Sequence, residues 1–122
     1  MSSIHGRYAT KDKAAYITAK HGLNGLTRAI AAEGEGTLRS FSVSAGYVLT
    51  PLMANQIEDT ARERGITERE VVENVMLGQA RTTELMTPVE VANLFVFGFS
   101  RHGKHLNGGD LLWDGGYTLT YE

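Results

Sequence analysis

The sequence predicts an α/β fold built on a parallel sheet, of which this chain supplies two strands. The predicted elements follow the order helix, strand, two short helices, helix and strand. Parallel strands are joined by helical crossovers of this kind, which are right-handed. Two parallel strands cannot cover the apolar faces of so many helices, because parallel sheets are normally buried on both faces. We therefore expect the complete sheet to contain further strands.

The first helix is predicted over residues 13–33. Its apolar residues recur at steps of three and four and form one apolar stripe, Ala15, Ala19, Leu23, Leu26 and Ile30. A second face carries Tyr16 and Lys20. Two glycines within one turn, Gly22 and Gly25, weaken the helix slightly and predict that something packs closely against them.

Glycines predict the end of this helix, and a strand follows. Gly34 and Gly36 provide the helix stop. Residues 38–43 alternate between apolar and polar, which is typical of a strand, and the Ser-Ala-Gly segment at 44–46 is predicted to end it. A helix, a glycine stop and a strand together make half of a βαβ unit.

The middle of the chain, residues 51–78, is predicted to be a helical excursion from the sheet. Thr50 before Pro51 is a helix start, because the threonine hydroxyl can cap exposed amides and proline has no amide to satisfy. This helix should run to Arg64, where Gly65 breaks it.

Capping boxes predict the next two helices. Thr67 with Glu70 has the capping-box spacing and predicts a short helix that reaches about residue 77. Thr87 with Glu90 repeats this spacing and adds a proline at the first helical position. The stripe predicted to be buried on this last helix comprises Val91, Leu94, Phe95 and Phe99.

The polar loop 101–109 leads to the last predicted strand, residues 110–113. His102 and His105 lie three apart in this loop, with no nearby cluster of carboxylates or cysteines. Histidines in such surroundings are usually solvated, so no metal site is predicted.

The composition is typical of one soluble globular domain and excludes several kinds of site. Of the 122 residues, 42% are hydrophobic and 21% charged, so we expect residues 1–122 to form a single unit. The absence of cysteine excludes disulfides and thiolate chemistry, and fits a reducing cytoplasm. The 12 basic and 14 acidic residues are spread along the chain, so we expect no nucleic acid and no membrane as partner. Neither a membrane span nor a signal peptide is apparent, and we expect a cytoplasmic protein.

Tyr16 and Lys20 are the first candidates for catalytic residues. Four residues apart on a helix, they face the same way. An ammonium near a phenol stabilises the phenolate, which suits the phenol to exchange protons with an alcohol or carbonyl oxygen. A serine such as Ser3, aimed at the same oxygen, would stabilise its developing charge. The alternative is a surface lysine beside an amphipathic tyrosine, and the pair alone does not decide between the two.

Further segments in the same order carry a family resemblance. Ser3 stands thirteen residues before Tyr16, the segment AGYVLTP follows at 45–51, and DGG follows at 114–116. This order resembles that of the short-chain dehydrogenase/reductases. Four segments look like the bacterial D-3-hydroxybutyrate dehydrogenase branch of that family: SIHG, KAAYITAKHGLNGLT, YVLTPLMANQI and WDGGYT.

The resemblance implies the C-terminal portion of a Rossmann-like doubly wound parallel sheet, made of its last two strands and their helices, with the N-terminal dinucleotide-binding half missing. It also implies an NAD(P)-dependent alcohol dehydrogenase. Such an enzyme transfers hydride between nicotinamide and a small hydroxy or keto acid, such as 3-hydroxybutyrate or acetoacetate. Ser3, Tyr16 and Lys20 match the family's catalytic serine, tyrosine and lysine, with Tyr16 as general acid and base.

The resemblance also implies residues that bind the cofactor. Gly46, Val48 and Thr50 match the loop that holds the nicotinamide end, where Val48 backbone groups and the Thr50 hydroxyl would meet the carboxamide. Tyr16 and Lys20 belong to the same set, since Lys20 would also contact the nicotinamide ribose. Thr50 has a structural alternative as a helix cap, and the two roles are compatible.

The substrate carboxylate is assigned by the resemblance to His5, Lys13 and Gln56. A cation and two hydrogen-bonding groups suit that task. Each has an alternative, since His5 could be a polar loop residue, Lys13 a solvated lysine and Gln56 an exposed helix residue. The excursion at 51–78 would be a mobile substrate lid.

The sequence departs from the family pattern where the dinucleotide would bind. It lacks the glycine-rich turn after a first strand and is expected to begin after the fifth, so NAD and NADP are not distinguished. Ala45 replaces the usual proline, and Tyr117 stands where the branch often has tryptophan. Two hypotheses follow. The chain is the C-terminal half of a dehydrogenase that works with an N-terminal half or a homo-oligomer partner, or it is a truncated non-catalytic relic or self-associating interaction module.

Overall fold

The computed structural model describes residues 1–120 and has the predicted order of elements. Its helices and strands are α1 (Ala14–Glu33), β1 (Ser42–Ala45), α2 (Pro51–Arg64), α3 (Glu68–Glu70), α4 (Pro88–Phe99) and β2 (Asp110–Trp113). Two 3₁₀ turns, Ile4–Gly6 and Arg101–Gly103, and a π-helical segment, Val71–Met76, complete the regular structure. Across residues 1–120, no helix has the length and apolar character needed to cross a bilayer.

The two strands pair in parallel. Ser42 lies opposite Asp110 at the start of the ladder, and Ala45 lies opposite Trp113 at its end. On the other edge of β1, the amide of Ser2 donates to the carbonyl of Val43 at 2.8 Å. Because backbone groups alternate between the two edges of a strand, β1 is hydrogen-bonded on both edges and lies inside the sheet.

The predicted bounds of β1 are wrong. The strand was expected at residues 38–43 but spans Ser42–Ala45, so it includes two residues that were predicted to end it. Leu38 is exposed instead, and the Arg39 guanidinium donates to the Gly103 carbonyl at 2.8 Å, which ties this segment to a loop. Alternation between apolar and polar residues fails as a signal here because β1 is buried on both faces.

Buried serines in β1 are satisfied by one carboxylate of β2. The Ser42 and Ser44 hydroxyls donate to Asp110 Oδ1 at 2.6 and 2.9 Å, and Arg7 donates to Asp110 Oδ2 at 2.8 Å. Buried polar groups are tolerated when they are hydrogen-bonded in this way. This network explains how a segment with two serines forms an interior strand.

The apolar stripe of α1 does not pack against the rest of the described chain. Leu26 is 54% exposed, and the buried residues of α1 are instead the polar Asn24 and Thr27. The prediction that something packs closely against Gly22 and Gly25 is wrong for residues 1–120, because a methyl group added at either position would meet nothing within 4 Å. This face of α1 is open.

The helical excursion forms as predicted and packs into a small apolar cluster. The αL conformation of Gly65, with φ of 65°, ends α2, and Thr67 with Glu70 forms the capping box of α3. The helix then widens into the π-helical segment rather than continuing as α-helix. The buried members of this cluster are Ile57, Val71, Met76 and Leu77 of the excursion and Ala80 beyond it, and Tyr47, Leu85 and Tyr117 pack against them.

The predicted capping box of α4 is present, but its buried stripe is only partly confirmed. Val91 is 7% exposed and packs against β1, whereas Phe99 is 75% exposed, which contradicts the prediction. Gly98 occupies the buried position instead, with the Phe41 ring where a side chain would be. Phe99 touches only the edge of this arrangement, at 5.1 Å from the Phe41 ring centroid.

Candidate active site

Ser3 lies in a capped turn beside the sheet. It is the N-cap of the turn Ile4–Gly6, where its Oγ accepts a hydrogen bond from the His5 amide at 3.2 Å. The same Oγ lies 3.5 Å from His5 Nδ1. Ser3 is 8% exposed and its backbone is extended. The local turn therefore fixes the hydroxyl and the imidazole as neighbours.

The His5 ring connects this turn to helix α1. It stacks on Tyr8 at 5.1 Å between centroids and meets the Tyr16 ring edge to face at 5.6 Å. Its Nε2 lies 3.1 Å from Thr10 Oγ1. Burial lowers the pKa of His5 below its ordinary value of 6.5, and the positive charge of Lys13 lowers it further. At neutral pH the imidazole is therefore uncharged and offers one donor and one acceptor.

Helix α1 brings Tyr16 and Lys20 together, as the four-residue spacing predicts. Lys20 Nζ lies 5.4 Å from the Tyr16 ring centroid and donates to the Met1 carbonyl at 3.2 Å. Tyr16 is 47% exposed, and within residues 1–120 its hydroxyl makes no hydrogen bond. The phenol is thus positioned by its helix and open to a ligand.

The segment after β1 presents a free pair of backbone groups at Val48. The Tyr47 carbonyl accepts from the Met86 amide at 3.1 Å, and the Leu49 amide donates to the Met86 carbonyl at 2.8 Å. Val48 lies between these bonds, so its own amide and carbonyl face away from Met86. Neither group has a hydrogen-bond partner in the part of the chain that the structure describes. One donor beside one acceptor fits a primary carboxamide.

Gly46 and Thr50 flank Val48 and have structural partners. The Gly46 amide donates to the Trp113 carbonyl at 2.9 Å, which extends the β1–β2 ladder. Thr50 is the N-cap of α2, with its Oγ1 accepting from the Met53 amide at 3.2 Å. The structural alternative for Thr50 is therefore confirmed.

One cleft of about 540 Å³ collects most of the residues that the sequence singled out. The predicted site residues that line it are Ser3, His5, Lys13, Tyr16, Gly46 and Gln56. Lys20, Val48 and Thr50 do not line it. The cleft joins the capped turn, α1, the segment after β1, α2 and the π-helical segment.

The cleft also contains residues that the sequence analysis missed. Thr60 and Arg64 line it from α2, and Lys13 and Arg64 are its cations. The lining includes no aspartate or glutamate. A signal was available, because Gln56, Thr60 and Arg64 are four residues apart on a correctly predicted helix and so share one face.

A second cleft, of about 430 Å³, shares the Gly46–Tyr47 wall with the first. Its charged lining residues are all acidic, Glu84, Glu90 and Asp114. Among residues 1–120 there is no group of three histidine, cysteine, aspartate or glutamate side chains placed to hold a metal ion.

Comparison with known proteins gives one family. Residues 1–118 match the short-chain dehydrogenase family model described as Enoyl-(Acyl carrier protein) reductase. The chain is 41% identical over 119 residues to the D-beta-hydroxybutyrate dehydrogenase of Rhizobium meliloti, and 33% identical over 119 residues to that of Cupriavidus necator. Each alignment covers 97% of this chain and 46% of the relative.

The solved structures agree. A short chain dehydrogenase family protein from Francisella tularensis matches with a TM-score of 0.88 and 28% identity, over 98% of this chain and 49% of that one. The chain thus spans about half the length of the curated relatives it matches. Within that half it has a partial Rossmann fold, as the sequence predicted. The matched residues include all the elements described above, and the chain belongs to the short-chain dehydrogenase/reductase family.

Proposed function

We propose that this chain forms the substrate-binding and catalytic part of an NAD(P)-dependent oxidoreductase. Its reaction would interconvert a small hydroxy acid and the corresponding keto acid, such as 3-hydroxybutyrate and acetoacetate. The observation that carries the proposal is the 540 Å³ cleft, which gathers Ser3, Tyr16, His5, Lys13 and Gln56 from separate elements. The identity to two D-beta-hydroxybutyrate dehydrogenases supports the substrate class.

The substrate carboxylate is assigned to His5, Lys13 and Gln56. The Lys13 ammonium supplies the charge, and the Gln56 amide supplies a neutral donor. The neutral imidazole of His5 can donate one hydrogen bond without a second positive charge. Because the cleft lining contains no acidic side chain, nothing in it repels a carboxylate.

Proton exchange is assigned to Tyr16. Its unbonded, half-exposed hydroxyl can approach a substrate oxygen and give it a proton in reduction or take one in oxidation. The Ser3 hydroxyl, held by the turn, would donate to the same oxygen and stabilise its charge. Lys20 Nζ, 5.4 Å from the centroid of the Tyr16 ring, would place a positive charge beside the reacting groups.

The residues present fit the nicotinamide end of a dinucleotide. The free amide and carbonyl of Val48 would hold the carboxamide, Gly46 would allow close approach, and Lys20 would reach the ribose. When bound, the nicotinamide supplies or accepts the hydride that the reaction requires. A separate N-terminal half or a second copy of the chain would complete the site. We also propose a cytoplasmic location, in keeping with the cysteine-free composition.

Residues 51–78 are proposed to act as a lid within a single unit of residues 1–122. Helix α2, helix α3 and the π-helical segment pack against one another, and their apolar cluster also contacts Tyr47, Leu85 and Tyr117. The excursion contributes Gln56, Thr60, Arg64, Val75 and Met76 to the cleft. A lid built this way would close over the substrate and exclude water.

Fusion to an N-terminal half tests the proposal. The full 122-residue chain would be joined behind the N-terminal half of the Rhizobium meliloti relative, and NADH binding followed by fluorescence. We expect the fusion to bind NADH and, with NAD⁺ as hydride acceptor, to oxidise 3-hydroxybutyrate to acetoacetate, while either half alone does neither. A folded fusion that binds no NADH, or binds it and oxidises no hydroxy acid, overturns the proposal.

A second candidate function, self-association, is favoured by the open face of α1. Leu23 and Ile30 are each 37% exposed beside the more exposed Leu26, which leaves an apolar stripe facing solvent. Light scattering would measure the mass of the chain in solution. If the stripe mediates association, Leu26→Glu yields monomers while the control Leu38→Glu, at a 59% exposed position outside α1, does not. A monomeric wild type contradicts this function.

A further inference from the structure

Helix α2 presents a row of three polar side chains to the first cleft. Gln56, Thr60 and Arg64 are four residues apart, and all three line the cleft. At 1.5 Å per residue, Arg64 lies about 12 Å beyond Gln56 along the helix axis. The proposed carboxylate site at Lys13 and Gln56 therefore occupies one part of the cleft, and Arg64 stands two turns further on.

Arg64 is unpaired, unlike its neighbours. Arg62 binds Glu58 at 3.3 Å and Asp59 at 3.2 Å, and Arg69 binds Glu73 at 2.9 Å. Within residues 1–120, the Arg64 guanidinium makes neither an ion pair nor a hydrogen bond, although it is the arginine of α2 that faces the cleft. A guanidinium offers five donors in a planar fork that matches a carboxylate.

Helix geometry directs Arg64 toward the rest of the row. Side chains on a helix tilt toward its N-terminus, so Arg64 leans back over the turn that carries Thr60. Both cations in the last turn of α2 also favour the negative end of its dipole. The helix dipole acts on Arg62 and Arg64 alike. It therefore does not explain why, among the described residues, Arg64, which faces the cleft, has no carboxylate partner while Arg62 has two.

The remaining lining suits the hydrocarbon part of a ligand with two charged ends. Its apolar members are Ile4, Tyr47, Leu52, Met53, Val75 and Met76. Leu52 is 78% exposed, so a ligand lying across the cleft would cover apolar surface that the described chain leaves open. Cations from two different elements, apolar side chains and no acidic residue together define the ligand chemistry.

We propose that Arg64, with Thr60, forms a second anion subsite, and that the substrate is a hydroxy dicarboxylic acid. This inference rests on the proposed function, since the first carboxylate occupies the site at His5, Lys13 and Gln56. The distal carboxylate accepts from the Arg64 guanidinium and from the Thr60 hydroxyl. A hydroxy monocarboxylic acid binds with its other end uncharged and leaves Arg64 unpaired.

Binding measurements on the full 122-residue chain test the subsite. The probes are 3-hydroxybutyrate and 3-hydroxyadipate of matched configuration, titrated by calorimetry against wild type, Arg64→Gln and the matched control Arg62→Gln. We expect Arg64→Gln to weaken 3-hydroxyadipate by roughly tenfold or more, the range for a charge-assisted hydrogen bond. We expect it to leave 3-hydroxybutyrate unchanged, and Arg62→Gln to change neither. Lys13→Gln should weaken both ligands.

The outcomes separate the two proposals. If 3-hydroxybutyrate binds through Lys13 but Arg64→Gln weakens both ligands equally or neither, the subsite is overturned and the proposed function stands. If 3-hydroxyadipate depends on Arg64 while Lys13→Gln has no effect, the subsite stands and the assigned carboxylate site is wrong. If neither acid binds to the folded chain, the same variants are titrated in the fusion with NADH bound, and if neither acid binds there, both proposals fail.

Discussion

The two clefts on either side of the Gly46–Tyr47 wall are lined by side chains of opposite charge. The charged groups of the first are unpaired in the described part of the chain, whereas those of the second mostly hold the fold together. The first is lined by Lys13 and Arg64, and the second by Glu84, Glu90 and Asp114. Within residues 1–120, neither cation of the first cleft has an ion-pair partner. In the second cleft, Glu90 and Asp114 are hydrogen-bonded within the fold.

Asp114 and Glu90 both organise the backbone around them. Asp114 accepts from the Gly116 amide at 3.0 Å, the Thr118 amide at 2.9 Å and the Thr118 hydroxyl at 2.6 Å. Glu90 accepts from the Thr87 amide at 2.6 Å and its hydroxyl at 3.0 Å, and these bonds lower the pKa of Glu90 below its usual value of 4.5. Carboxylates used in this way stabilise the fold, whereas unpaired cations remain available to a ligand. Substitutions in the two clefts should therefore separate stability from binding.

Tyr16→Phe should have the largest effect, and on activity alone. Removing the proposed general acid and base should lower kcat in the fusion enzyme by roughly 10²–10⁴-fold. The hydroxyl makes no hydrogen bond within residues 1–120, so the thermal unfolding temperature should remain that of wild type. Retention of wild-type kcat by a folded Tyr16→Phe would remove the first cleft as the site of proton exchange.

Asp114→Ala should have the next largest effect, and on stability. Asp114 is 8% exposed and accepts three hydrogen bonds, so its loss should lower the free energy of unfolding by about 3 kcal/mol. Asp114→Asn, which keeps acceptor oxygen, should cost less. Urea unfolding measures both. A fully stable Asp114→Ala that binds hydroxy acids poorly would contradict the division between the clefts.

Thr87→Ala tests the second carboxylate of the same cleft. The Thr87 hydroxyl caps α4 by accepting from the Glu90 amide at 3.2 Å, and loss of an N-cap costs about 1 kcal/mol at pH 7. Because the pKa of Glu90 is lowered in the folded protein, the stability it provides is lost as pH falls through that pKa. The difference in the free energy of unfolding between wild type and Thr87→Ala should therefore become smaller as pH falls over the same range. Thr87→Ser, which retains the hydroxyl, should match wild type throughout.

The helices could be predicted because their ends are set by local chemistry. Thr50 caps the start of α2 and Gly65 ends it, and both act only on residues a few positions away. The predicted bounds of α2 therefore agree with the structure. The capping boxes at Thr67 and Thr87 are equally local. The bounds of β1 depend instead on Asp110, 66 to 68 residues away, whose carboxylate satisfies the buried serines. Propensity within a short window carries no information about such a partner.

The candidate site shows the same difference between features set by nearby residues and features set by distant ones. The contact between Tyr16 and Lys20 follows from helical spacing, and the structure has it. The edge-to-face contact of His5 with Tyr16 follows from no spacing, since a loop of irregular backbone separates them. The assignment of His5, Lys13 and Gln56 to one carboxylate came from resemblance, and their roles remain proposals. Arg64 was missed because its significance depends on which arginines find partners, which only three-dimensional contacts reveal.

The smallest expected effect is a change in the pKa of His5, which responds to the positive charge in the first cleft. Burial is the larger cause that lowers the pKa of His5 below 6.5, and Lys13 is the smaller one. Lys13→Gln should therefore raise this pKa partway toward 6.5, and added salt should do the same in wild type because Lys13 is exposed. Nuclear magnetic resonance of the His5 ring protons follows both changes.

Below pH 6.5 the unfolded chain binds the proton more readily than the folded one, so wild-type stability should fall as pH drops through the folded pKa. Arg64→Gln is the matched control, since Arg64 is not among the causes of the shift. A His5 pKa at or above 6.5 in wild type would show that the cleft is neither as dry nor as positive as its lining residues require.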